Sequence, residues 1–139
     1  MNNEKDNVYD LVEDFYAHDE GWNTLLRQEY AEGFLRMEAW KGKKNSDLYR
    51  SWDNLTMLCL YLGSAETFLG DMNADDFIDC IAWCGRNISE FTPDYKNTQD
   101  FLETCDGLFK YLKGKNAISN DTVPGTAAEI LLQEGKMNI

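Results

Sequence analysis

The chain has 139 residues, 43% hydrophobic and 13% aromatic, enough for one domain with its own core and too apolar for a disordered protein. Its net charge of −12 excludes direct binding to nucleic acid or to an anionic membrane and favours a basic partner. The start, MNNEKDNVYD, lacks the basic and apolar regions of a secretory leader, and the longest apolar run, Met57 to Leu62, is far short of the ~20 residues of a membrane span, so a cytoplasmic protein with free thiols is expected.

Apolar residues recur at helical spacing throughout, and no segment alternates as a strand does. Val8, Leu11, Val12 and Phe15 predict a first helix, with Asp6 as its N-cap. Trp22, Leu25, Leu26, Tyr30, Gly33, Phe34, Met37 and Trp40 predict a longer second helix stopped at Gly42, followed by the basic turn KGKK. A third helix starts at Ser46 and aligns Leu48, Trp52, Leu55, Cys59 and Leu62; its second half is apolar almost all round, which marks it as the buried one. Gly63 and Gly70 bracket the short piece SAETFL.

The stretch GDMNADDFID opens the fourth helix, which carries Phe77, Ile78, Ile81, Cys84 and Ile88. Asp71, Asn73 and Asp75 match the first ligand positions of a calcium loop, but Asp76 stands where that loop needs glycine and Ala82 where it needs glutamate. A helix start explains the stretch better: Asn73 as N-cap, Asp76 three residues on completing a capping box, and acids at the positive end of the helix dipole. Thr92-Pro93-Asp94 then predicts a cap, a proline at the first helical position and an acid for the fifth helix, which aligns Phe101, Leu102, Cys105, Leu108, Phe109 and Leu112 and ends at Gly114. NAISNDTVPGT is a loop, and a short sixth helix runs from about Pro124 to Glu134 and closes at Gly135. The expected architecture is a single all-α domain over residues 1–139, a compact bundle of five to six helices around a buried central helix at about 46–62.

The segment Asp100–Ser119, an aromatic–leucine helix followed by a polar loop, resembles the helical core-binding region that precedes the catalytic domain of tyrosine recombinases. Those regions are basic and bind DNA; this chain is acidic and holds no such catalytic domain, so the resemblance assigns no residue a role.

Nothing in the chain spells out a reaction. His18 is the single histidine and sits among acids, and no nucleophile elbow, P-loop or dinucleotide fingerprint is present. Cys80 and Cys84 share a helix face, but a zinc site needs four ligands and Cys59, Cys105 and His18 are distant in sequence; the cysteines fit core packing. No catalytic residue, metal or cofactor is expected.

The charge is uneven. Residues 1–20 hold seven acids and one lysine, and residues 71–106 hold nine acids and two bases, so these two segments carry the whole excess. Within them carboxylates repeat at helical spacing: Asp6, Asp10, Glu13 and Asp14; Asp71, Asp75 and Asp79; Asp100 and Glu103. Like charges at that spacing cost a few tenths of a kcal/mol per pair, so such a row points into water or meets cations on a partner. The expected function is a small, non-enzymatic protein-binding module, an inhibitor or regulator of a basic or nucleic-acid-binding protein. In its sharpest form it imitates nucleic acid, as anti-restriction and anti-CRISPR factors do. The contact residues are Asp71, Asp75, Asp79, Asp100 and Glu103, with Trp83 and Trp40 as aromatic anchors. The alternative is a helical accessory domain whose charge serves only solubility; a homo-oligomer is compatible with either.

Overall fold

A computed structural model describes residues 7–134, except for the side chain of Glu20. Six α-helices follow one another: α1 Val8–His18, α2 Gln28–Trp40, α3 Asn45–Ala65, α4 Ala74–Asn87, α5 Tyr95–Gly114 and α6 Val123–Gln133. Short 3₁₀ turns at Glu20–Thr24 and Leu69–Asp71 precede α2 and α4, and no strand occurs among the described residues. No helix there is long and apolar enough to cross a membrane.

The third helix is the centre of the bundle. It packs on α1, α2, α4 and α5, while α6 wedges between α4 and α5. Leu55, Leu58 and Leu62 are fully buried, each stabilising the fold by about 1.5–3 kcal/mol. Around them close Phe34 of α2, Phe77 of α4, and Phe101 and Phe109 of α5, with the Phe77 and Phe109 rings edge to face at 5.4 Å. Two glycines let α2 and α5 approach. A Cβ on Gly33 would stand 1.9 Å from the Tyr111 hydroxyl oxygen, and one on Gly107 would stand 3.1 Å from Phe34. Each helix thus offers a glycine to the other's aromatic ring.

Several expectations from the sequence need correction. The second helix is not continuous from Trp22. Asn23 and Thr24 turn their side chains to the backbone, Asn23 Oδ1 accepting from the Gln28 N–H at 2.9 Å and Thr24 donating to the Gly21 carbonyl at 2.7 Å. The Tyr16 hydroxyl donates to the Leu26 carbonyl, which a continuous helix would have given to Tyr30; the Tyr30 N–H turns instead to Arg27. Burial, then the nearby Cys59 and Glu32, push the Tyr16 phenol far above its ordinary range, so it keeps its proton and that bond. Tyr16 therefore takes the core place expected of Leu11, which is 42% exposed, and Trp22 is half-buried against Phe15. The expected cap Asp6 lies outside the described residues, and Asn7 caps α1 by accepting from the Tyr9 N–H at 2.8 Å.

Gly63 does not end α3, which runs on to a left-handed cap at Glu66 with φ 53°. The cap of α5 is Asp94, accepting from the Asn97 N–H at 2.8 Å, rather than Thr92. Pro93 lies outside the helix because its ring packs on Gly85 of α4, 2.9 Å from where a Cβ would stand. Gly42 does turn the chain after α2, at φ 102°. Gly135, expected to close α6, lies outside the described residues.

Candidate functional site

The acidic start of α4 is a helix cap. Asn73 Oδ1 accepts from the Asp76 N–H at 2.9 Å, and Asp76 Oδ2 accepts from the Asn73 N–H at 2.9 Å, the reciprocal pair of a capping box. Asp71, Asp75 and Asp79 have no part in it and stand exposed. Asp79 and Asp76 lie close enough to Tyr61 on α3 to act on it; burial first, then Cys80 and these two acids, raise its phenol.

The acids of α5 belong to a different place. Asp100 lines a cleft of about 430 Å³ between α3, the α4–α5 connection and the start of α5. One wall is a stripe of α3 at helical spacing, Arg50, Asp53, Asn54, Met57 and Leu60; Ile88, Glu90 and Phe91 form the other. Asn54, only 5% exposed, is the hinge-pin of this wall: its Nδ2 donates to Asp100 Oδ2 at 3.1 Å and to Thr104 Oγ1 at 3.0 Å. The Thr104 hydroxyl in turn donates to the Asp100 carbonyl at 3.0 Å, so no polar atom of this seam is left unsatisfied. Partial burial raises the Asp53 carboxyl above its ordinary value. A neighbouring cleft of about 380 Å³ shares Arg50, Asn97 and Asp100 and adds Lys96, Gln99 and Glu103. Glu103 accepts from Gln99 Nε2 at 3.1 Å.

Asp100 and Glu103 are thus brought together, but neither cleft reaches Asp71, Asp75 or Asp79. The row of α1, with Asp10, Glu13 and Asp14 exposed, sits on a helix whose main neighbours are α2 and α3. The two aromatic candidates also part company. Trp83 is half-covered, edge to face with Tyr61 at 5.9 Å. Trp40 is 87% exposed at the end of α2, beside the exposed Lys41, Lys43 and Lys44.

The chain matches no family model, no curated protein and no solved structure.

The fold gathers what the sequence kept apart in one further case. Cys80 and Cys84 hydrogen-bond across one turn of α4, and Cys59 of α3 and Cys105 of α5 lie near enough to act on Cys80 electrostatically. All four thiols are buried. Burial pushes Cys59 up to about 12 and Cys105 well above its ordinary value, whereas the hydrogen bond from Cys80 makes Cys84 the easiest of the four to ionise. Among the described residues no three His, Cys, Asp or Glu side chains are disposed to hold a metal ion. The α3 wall of the cleft escaped the sequence reading because Arg50, Asp53 and Asn54 look like the solvent face of a helix; the one legible signal was their alignment, at three- and four-residue steps, with Met57 and Leu60.

Proposed function

We propose that the chain is a non-enzymatic protein-binding module that docks a basic partner, such as a nucleic-acid-binding protein, through acidic patches on α4 and α5. One observation carries the reading. Among the described residues the ion pairs engage Asp14, Glu29, Glu32, Asp47, Asp106 and Asp121, and none of Asp71, Asp75, Asp79, Asp100 or Glu103. Carboxylates in rows repel one another, and among the described residues none of these five is in an ion pair. A basic surface on a partner would. Because α1, α4 and α5 are not one another's main packing partners, the proposed contact consists of two patches rather than a continuous nucleic-acid-like tape.

The test is capture of partners from host lysate on immobilised protein, eluted with stepped salt. A basic protein released at moderate salt, and lost when Asp75 and Asp79 or Asp100 and Glu103 are changed to their amides, is the expected result. The amide at 100 keeps an oxygen for Asn54, so this change removes charge and leaves the seam. Undiminished capture by both amide variants would overturn the reading in favour of charge that serves solubility.

A further inference from the structure

We propose that the chain self-associates by seating Trp40 of one copy in the α3–α5 cleft of another. The inference needs no partner but this chain; it shares Asp100 with the basic-partner reading, but its test uses the purified chain alone, so the two fail separately.

A tryptophan 87% exposed is a large apolar surface left in water, and tryptophan is the residue that most often anchors an interface when a pocket receives it. The cleft is such a pocket. Its volume of about 430 Å³ exceeds what an indole fills, and its apolar lining, Met57, Leu60, Ile88 and Phe91, supplies a thioether and a ring edge for aromatic contact. Leu60 is 40% exposed at the rim, so the cleft too leaves apolar surface in water.

Charge fits as shape does. Lys41, Lys43 and Lys44 beside Trp40 make no ion pair among the described residues. Asp53, Glu90 and Asp100 edge the cleft and likewise make none. The one cation there, Arg50, already faces Asp47 at 3.8 Å. Glu38 is the acid nearest the tip on its own helix and is half-buried.

The chain does not fill its own cleft: Trp40 is exposed, and Met57 lies twelve residues beyond the start of α3, about 18 Å along the helix axis. Knob and socket on one chain make a contact between copies, closed as a pair if exchanged reciprocally. The net charge of −12 on each copy opposes the encounter at long range. At physiological salt that repulsion is screened beyond ~8 Å, while the contacting lysines and carboxylates still meet.

Sedimentation velocity of the full chain at physiological salt, over a concentration series reaching ~1 mM, reads the association directly. The wild type is expected to show a concentration-dependent rise in mass. Trp40→Ala removes the knob and Leu60→Asp the socket; both sites are exposed, so both variants fold, which circular dichroism checks. Each alone is expected to associate at least ~10-fold more weakly, and an equimolar mixture to recover a one-to-one complex, because one partner keeps the socket and the other the knob. A charge exchange gives a second readout: Lys43→Glu with Lys44→Glu weakens association, and Asp53→Lys with Glu90→Lys on the other copy restores it. A wild type that is monomeric throughout, association that Trp40→Ala leaves unchanged, or variants that fail to complement each other would overturn the proposal.

Discussion

Replacing Asn54 by aspartate exchanges one amide nitrogen for an oxygen in the seam between α3 and α5. That nitrogen now donates to Asp100 Oδ2 at 3.1 Å and to Thr104 Oγ1 at 3.0 Å. In Asn54→Asp both donated bonds are lost and a carboxylate faces two oxygens. Two unit charges at that separation repel by about 5 kcal/mol at an effective dielectric of ~20. Water reaches Asp100, so the expected loss of stability near neutral pH is about 3–5 kcal/mol, a large part of the ~5–15 kcal/mol that holds a domain together. The new carboxyl has a folded-state value raised above the ~3.9 of the unfolded chain by the facing Asp100 carboxylate and by burial. The charge part of its deficit is therefore small below pH ~4, grows from there up to the folded value and levels off above it, on top of the pH-independent loss of the two donated bonds. Urea unfolding at about pH 5 and about pH 8 should show the deficit widening by roughly 2–3 kcal/mol. Asn54→Leu, which loses the bonds without adding charge, should show a deficit that does not depend on pH. An aspartate variant whose deficit is the same at both pH values would refute the placement of Asn54 against Asp100.

Gly33→Ala drives a methyl against the Tyr111 ring and should cost about 1–3 kcal/mol in a urea melt, with Tyr111→Leu in the same chain recovering part of it. Glu66 holds the left-handed cap of α3 at φ 53° and adds negative charge at a helix C-terminus, so Glu66→Gly should raise stability by about 0.5–1 kcal/mol. The Asp14 carbonyl, 2.8 Å from Nδ1, and then the Asp14 carboxylate raise His18 above its ordinary value. Its small contribution is full below pH ~6.5 and vanishes as pH rises through the raised value, so His18→Ala should shift the melting temperature near pH 5.5 and leave it unmoved near pH 8.5. Thiol labelling of the native protein should be slow at all four cysteines, with Cys84 modified ahead of Cys59 in a mass-spectrometric time course.

Helix identity, the central place of α3 and the capping box of α4 were legible because each rests on local spacing: Leu55, Leu58 and Leu62 at three- and four-residue steps, Asn73 three residues from Asp76. What escaped depends on contacts between distant residues. The break before α2 follows from a hydroxyl on Tyr16 reaching Leu26, ten residues away. The cap of α5 moved to Asp94 because Pro93 found Gly85 on another helix. The cleft and the convergence of Cys59, Cys80, Cys84 and Cys105 are tertiary in the same sense. Of the candidate contact residues, exposure of the α4 acids and of Trp40 agrees with the amphipathic pattern, whereas their separation from Asp100 and Glu103 follows from α6 lying between α4 and α5.

That wedge has a consequence for how the molecule opens. The sixth helix has only 11 residues, its main contacts are with α4 and α5, and its N-cap Thr122 spends its hydroxyl on Asn120 instead of on the helix. It contributes only Val123, Pro124, Ala127 and Leu131 to the core, so its amides should exchange with solvent by a sub-global opening rather than by unfolding of the whole. The connector before it begins at Asn116, whose φ of 59° is the left-handed turn that closes α5, with the Ala117 N–H donating to the Leu112 carbonyl at 2.9 Å. While α6 is out, the groove between α4 and α5 accepts any matching helix, and the best match in a concentrated solution is the α6 of a neighbour. Exchange of this helix between two chains is the misassembly that such an opening would permit.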